Sequence, residues 1–579
     1  MSLRDFKSLV EVIQERTESR KGITFIEDTD KETAISYHDL YKRALNILYN
    51  FQYKGVKPGE ELVFQIDDNY DFLSVFWACL LGKIIPVPVT VGKNEEHRSK
   101  LFNIWKNLSN PNLIISKRDI EILEVFSSEK ENLWDKFSKM KSKAILLEEI
   151  HQKEGKGEAY IPGESDLAFI QFSSGSTGNP KGVVLTHKNI IVNIKAMLSG
   201  IKAPPGGDTF FSWMPLTHDM GIIGFHLTPL YAGWNQYLMP TKLFVRRPKL
   251  WMRKVSEHKI TLTASPNSGY KLFLRQFKPE SNQDLDLSSL RLIANGAEPI
   301  SPELCCEFLD TLAPFGLKKS AMFPVYGLAE ASLGVSFSDP DSEIIVHKMD
   351  RKSLYIGDKV VLKKEADTYG DEYEKKRWVS FVEVGKPIRD CYIRIKGEHG
   401  QEVDKGIIGH ILIKGGNVTS GYCNKEGTDS DVLNDGWLDT GDLGIMLNDR
   451  LIVVGPEKDI IFKYGQNYYA HDIERIAEGV EGIEQGKIVA TGFLNSMTQE
   501  YETVLFIHYR SDVGKFIPIA IELRKYIIRK VGLAVDSIIP VKEILKTTSG
   551  KVQRFKMVER YCEGYFDEED KIIREAFLK

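Results

Sequence analysis

Apolar runs at residues 112–116, 166–172 and 290–295 alternate with amphipathic stretches through most of the first 340 residues. Short buried strands punctuated by helices predict an α/β fold whose sheets are covered on both faces. Residues 72–91, FLSVFWACLLGKIIPVPVTV, are apolar for nearly the length of a membrane span. Gly82 and Lys83 interrupt that run, and Pro86 and Pro88 would break a continuous helix. The expectation is therefore a buried helix running into a short strand, with no membrane span.

The texture changes at 343–380, where lysine, aspartate and glutamate crowd into KKEADTYGDEYEKKR. An exposed insertion or hairpin is expected there. Residues 384–451 read as short strands joined by glycine turns, with 391–395 and 410–413 as examples, and predict a small β-rich subdomain. Beyond a boundary near 455–459, strands are expected at 487–491, 503–509 and 538–543. A helix is expected at 518–531 with proline in its first turn. The chain accordingly divides into a large N-terminal domain, 1–455, and a small α+β C-terminal domain, 456–579.

Composition changes this picture little. Lysine plus arginine (77) nearly balances aspartate plus glutamate (81), and no long basic block marks a nucleic-acid partner. The first ten residues carry Arg4, Asp5 and Lys7 and lack the apolar core of a secretory signal. The six cysteines show no CxxC spacing, which fits a reducing cytoplasm and argues against a structural zinc site.

The strongest chemical signal is SSGSTGNPKG at 173–182, directly after the strand-like run LAFIQF. Glycines let the backbone approach closely, so successive amides, hydroxyls and one lysine can wrap polyphosphate oxygens. The loop is not a Walker A motif, because Pro180 and Gly182 flank Lys181 where glycine and a serine or threonine would stand. Six further strings follow: WMPLTHDMG at 213–221, NGAEP at 295–299, YGLAE at 326–330, DTGDL at 439–443, KDIIFKYGQNYYAHDIE at 458–474 and KTTSGKVQR at 546–554. Together and in this order they resemble the motifs of the adenylate-forming superfamily. The combination PLTHDMG, NGAEP, YGLAE and GQNYYAHDIE is most similar to the fatty acyl-AMP ligases and related acyl-loading domains. Those proteins also carry an extra segment after YGLAE, which maps onto 343–380 and is associated with release of acyl-AMP to carrier proteins rather than to coenzyme A.

The resemblance implies ATP and Mg²⁺ as cofactors, and roles that agree with what each residue type can do. Ser173, Ser174, Gly175, Ser176, Thr177, Gly178 and Lys181 would hold the leaving phosphates. Glu330 would be the carboxylate partner of Mg²⁺. Tyr326 and Gly327, with the turn Asn295, Gly296, Ala297 and Glu298, would form the adenine site. Asp442 would accept both ribose hydroxyls, since one carboxylate offers two acceptor oxygens. Lys551 would bridge the forming carboxylate–phosphorus bond, and His218 would orient the carboxylate or gate the acid's path. Lys458 stands where relatives hinge the C-terminal domain. These relatives usually place arginine two residues before the hinge to contact the ribose, whereas this chain has Pro456.

The implied reaction is ATP-dependent conversion of a fatty acid to acyl-AMP, then transfer to the phosphopantetheine thiol of a holo acyl carrier protein. The 28 residues after Lys551, from 552 to 579, leave no room for a carrier domain, so the carrier is expected as a separate chain. A fatty acyl-CoA ligase is the alternative, an amino-acid or aryl-acid adenylating enzyme a more distant one, and a non-catalytic nucleotide-binding relative another.

Overall fold

The computed structural model describes residues 5–92, 95–130, 133–172, 180–204, 206–363, 377–424, 427–429, 433–463, 466–494, 501–546 and 551–578. A nine-stranded sheet dominates the N-terminal part. Its inner strands, Gly22–Ile26, Gln236–Leu238, Phe210–Ser212, Leu262–Ser265, Leu292–Asn295 and Met322–Gly327, run parallel. Glu32–Ser36 closes one edge antiparallel, and Gly334–Phe337 with Lys386–Pro387 closes the other. Parallel strands need crossover connections, which put helices on the sheet faces and leave a crevice at the strands' carboxyl ends. The NGAEP and YGLAE strings begin at or within the ends of the neighbouring strands Leu292–Asn295 and Met322–Gly327, so strand pairing alone brings them together.

A second sheet, Ile85–Pro88, Glu61–Phe64, Asn112–Ile115 and Ala144–Leu146, is wholly parallel. The apolar run at 72–91 becomes the helix Asn69–Leu81 followed by the strand Ile85–Pro88. Asp68 caps that helix by accepting from the amides of Tyr70 and Asp71, each at 2.9 Å. Every residue from Phe72 to Leu81 is buried, which is why the segment shows no polar face. Among the described residues no helix is long and apolar enough to cross a membrane.

One buried polar chain crosses this core. The Trp77 indole donates to His226 Nε2 at 2.9 Å, so His226 Nδ1 carries the proton and donates to Gln236 Oε1 at 2.9 Å. Gln236 Nε2 donates to Tyr37 Oη at 2.9 Å, and Tyr37 donates to the Trp234 carbonyl at 2.6 Å. Burial depresses His226 to about 4. His187, whose Nδ1 accepts from the Leu9 amide at 3.2 Å, is likewise depressed by burial to about 4. The unfolded chain takes up these protons near 6.5, so stability is complete above that pH and is lost as pH falls from about 6.5 to about 4. Each histidine contributes a slope of about 1.4 kcal/mol per pH unit. A falling Tm from neutral pH into that window is expected, with a shallower slope in His187→Gln; calorimetric scans across the range measure both.

The β-rich part is an antiparallel sheet of Cys391–Lys396, Gly409–Gly415, Trp437–Leu447 and Arg450–Pro456, with Leu433–Asn434 at its edge. The segment 343–380 is more integrated than its charge suggests. Val346–Asp350 pairs antiparallel with Trp378–Val382, and Met349, Leu354, Val379 and Phe381 are buried against Ile445, Ile452 and Tyr469. The charged residues 364–376 lie outside the described residues.

From Ile460 onward the chain forms the hairpin Ile460–Lys463 with Gln466–Tyr469, then a sheet of Ile488–Leu494, Tyr501–His508 and Ser537–Val541 with four helices among the described residues. The helix expected at 518–531 spans Val513–Val531, so proline is not in its first turn. Asp512 starts it earlier by accepting from the Gly514 amide at 2.9 Å, and Pro518 is accommodated inside the helix.

Candidate active site

The crevice at the strand ends is roofed by the C-terminal unit, and the two enclose a continuous cavity of about 1600 Å³. Lys181, His218, Ala297, Glu298, Tyr326, Gly327, Glu330, Asp442, Lys458 and Lys551 all line it. Residues 173–179, which include Ser173, Ser174, Gly175, Ser176, Thr177 and Gly178, lie outside the described residues.

Tyr326 ends the strand Met322–Gly327 and donates from Oη to Asp442 Oδ2 at 2.7 Å. Burial raises the Asp442 carboxyl, while the Tyr326 hydrogen bond and the nearby ammonium groups of Lys551 and Lys458 favour its charged form. Gly327 permits a bulge at this strand end: a Cβ there would stand 1.9 Å from the Leu333 carbonyl oxygen. Ala297 holds a left-handed φ of 66° at the facing turn. Such backbone conformations cost energy outside glycine and mark places where the surrounding structure over-determines the chain.

Asn295 departs from the expected arrangement. Its side chain is fully buried, with Nδ2 directed to Cys305 Sγ at 3.3 Å and Met322 Sδ at 3.8 Å, and it does not line the cavity. Gly296 also lies off the cavity surface, a Cβ there meeting the Val325 carbonyl at 2.9 Å. Alternation along a strand decides this, because Ala294 faces the cavity and its neighbour must face the other way. From this turn, Ala297 and Glu298 reach the cavity, and Glu298 accepts from the Ser268 amide at 3.1 Å.

Glu330 Oε1 accepts from the Tyr422 hydroxyl at 2.9 Å, and Lys181 Nζ stands 4.9 Å from the Tyr422 ring centroid. Tyr422 arrives from the strand Tyr422–Asn424, which pairs with Gly182–Thr186. Sequence reasoning missed it, since an aromatic residue far from every motif carries no signal of its own. Glu330, a carboxylate lining the same cavity as Lys181, fits a hard divalent cation shared with phosphate oxygens.

His218 Nδ1 lies 2.5 Å from Asp219 Oδ1, and the Met220 amide donates to Asp219 Oδ1 at 2.7 Å. Burial would raise Asp219, but His218, Lys551 and that amide together hold it below the usual carboxylate range. The segment continues as a π-helical turn, Met220–Leu227, an uncommon geometry that recurs at functional sites. Asp219 was legible only as part of the THDMG string.

Lys458 sits in a single turn, Glu457–Asp459, where burial lowers its ammonium pKa and Lys551 and Arg554 add to that effect. Pro456 lines the cavity opposite Asp442 in the strand register and, lacking an N–H, brings no donor. Three residues beyond Lys551, Arg554 donates from Nη2 to both Glu474 oxygens at 2.7 and 2.8 Å and from Nη1 to Asp459 at 3.0 Å. That anchor ties the segment bearing Lys551 to the turn bearing Lys458.

Ion pairs hold the C-terminal unit in this pose. Lys271 meets Glu478 at 2.8 Å and Arg475 meets Glu303 at 2.6 Å. Asp472, buried, pairs with Arg351 and with Arg475, which hold its carboxyl down at about 2 against the effect of burial. Asp472→Ala removes a buried carboxylate from two cations and is expected to cost about 3–5 kcal/mol. Urea unfolding should show that loss, and limited proteolysis should show a C-terminal unit cleaved faster than in the parent.

The sequence model of the AMP-binding enzyme family matches residues 13–423, and the chain belongs to that family. It is 28% identical to a medium-chain-fatty-acid–[acyl-carrier-protein] ligase of Moorena producens, over 98% of this chain and 97% of the relative. It is 26% identical to a long-chain-fatty-acid–AMP ligase of Mycobacterium marinum, over 98% of this chain and 99% of the relative. A solved structure from a study of fatty acyl-adenylate ligases of E. coli and L. pneumophila matches with a TM-score of 0.86 at 29% identity, covering 98% of this chain and 99% of that one. The protein is thus an adenylate-forming, acyl-activating enzyme with the large N-terminal and small C-terminal domains of that fold.

Proposed function

We propose that the enzyme condenses a fatty acid with ATP to give acyl-AMP and pyrophosphate, then passes the acyl group to the phosphopantetheine thiol of a separate acyl carrier protein. The observation that carries this reading is one cavity walled both by Lys181, His218, Glu330, Asp442 and Lys551 and by the apolar Met197, Phe210, Phe225, Leu262 and Phe323. The polar groups suit a nucleotide and a reacting carboxylate; the apolar ones suit an alkyl tail.

In this reading Asp442 accepts the ribose hydroxyls and the Tyr326 ring covers adenine. Glu330 would hold Mg²⁺, which when bound would neutralise charge on the phosphates. Lys181 and the 173–178 residues hold the leaving pyrophosphate, His218 orients the carboxylate, and Lys551 bridges carboxylate and α-phosphate. The charge of Lys551 on both Asp219 and Asp442 supports that bridging place. The C-terminal unit, from 456, turns about Lys458 between the half-reactions. All six cysteines are free thiols, in keeping with a cytoplasmic enzyme.

Incubation with ATP, magnesium and laurate, with either coenzyme A or a holo carrier protein as acceptor, tests the reading. Acyl-AMP, followed by mass-shifted carrier, is the expected result. Rapid acyl-CoA formation would replace the carrier by coenzyme A as the acceptor.

A further inference from the structure

Gln171 is the next-to-last residue of the strand Leu167–Phe172, which leads into the loop at 173–182. It is buried, at 3% exposure, yet lines the cavity. Its Nε2 donates to the carbonyl of Thr217, the residue before His218, at 2.7 Å. Thr217 is held from its other side as well, with Oγ1 3.1 Å from Thr90 Oγ1, while the Thr90 carbonyl accepts from Gln65 Nε2 at 2.7 Å.

A carbonyl can only accept, so the Thr217 contact fixes which end of the amide faces it. The other end, Oε1, is then left buried and without a hydrogen-bond partner among the described residues. A buried unpaired amide oxygen costs free energy that an apolar side chain at this strand position would avoid. The donor end must therefore do something an apolar residue cannot.

We propose that Gln171 is a positioning residue for adenylation. Through the Thr217 carbonyl it sets the distance between the strand feeding the phosphate-binding loop and the His218–Asp219 turn, and so the approach of the carboxylate to the α-phosphorus. This rests on the acyl-activation reading above. It differs from a packing role because the contact joins the two halves of the reacting pair, one element carrying ATP and the other the acid.

Two variants test it. Gln171→Met keeps the length and loses the donor, and is expected to slow acyl-AMP formation about a hundredfold, the scale of an ångström-sized misplacement. Its Tm and its calorimetric Kd for a non-hydrolysable ATP analogue should stay close to the parent's. Gln171→Glu can donate to the Thr217 carbonyl only when protonated, and burial raises that carboxyl's pKa. Its activity relative to the parent is therefore expected to recover as pH falls toward about 5.5. A Met variant within about twofold of the parent in kcat/KM, or a Glu variant with the parent's pH profile, overturns the positioning role alone. A parent that releases no pyrophosphate with any carboxylic acid overturns the acyl-activation reading and this role with it.

Discussion

Lys551→Ala is expected to slow acyl-AMP formation by about a hundredfold to a thousandfold, the loss seen when one preorganised donor to developing charge is removed. The charge of Lys551 acts on both Asp442, which in the proposed reading holds the ribose, and Asp219, which in that reading lies beside the acid. As the carboxylate closes on the α-phosphorus, negative charge concentrates between those two points. An ammonium placed there lowers the barrier more than it strengthens binding of either substrate. ATP affinity in the variant should accordingly change little, and transfer from chemically supplied acyl-AMP to the thiol should proceed at the parent's rate. Pyrophosphate release that persists in Lys551→Ala would show this lysine to be a surface residue. Lys551→Arg should recover little, since a planar fork does not reproduce a compact point charge.

The second large effect is expected at Gly224, in the π-helical turn Met220–Leu227 on the cavity wall. A Cβ there would stand 2.9 Å from the end of the Leu333 side chain, which can shift, so a larger side chain at 224 would intrude on the cavity. Gly224→Leu should exclude about four methylenes of a bound chain, each worth about 0.8 kcal/mol. The loss for long acids is then about 3 kcal/mol, roughly two orders of magnitude in kcat/KM. Butyrate and hexanoate should be activated nearly as well as by the parent, because their tails end before the obstruction. A pyrophosphate-release series over acids of graded length measures the shift. A uniform loss at every length would mean that the tail does not run past Gly224.

Both predictions concern a cavity several of whose lining residues were legible in the sequence as motif members. Tyr326, Glu330, Asp442 and Lys551 belong to strings whose residue types suit phosphate, ribose and carboxylate chemistry, and all four line the same cavity. The α/β alternation was legible because parallel strands buried on both faces leave continuous apolar runs. Element ends were less so: the helix read from Pro518 starts at Val513, since Asp512 caps it and proline proves tolerable inside. The insertion at 343–380 reads as solvated from its charged middle, yet the strands at its base turn Met349, Val379 and Phe381 into a shared core.

What the sequence determined by itself is the inventory of chemistry and its order, because residue type and local spacing are properties of the chain alone. What only the tertiary structure decided is which groups face each other. Asn295, in a motif, turns its side chain into the core, whereas Tyr422, in none, binds Glu330. Asp472 meets Arg351 across 121 positions, and Gln171 meets Thr217 across 46. Side-chain direction follows from strand pleat and pairing register, and long-range contacts from how sheets and domains pack. Neither is written in local spacing, so the partners that hold each functional group in place appear only once the chain is folded.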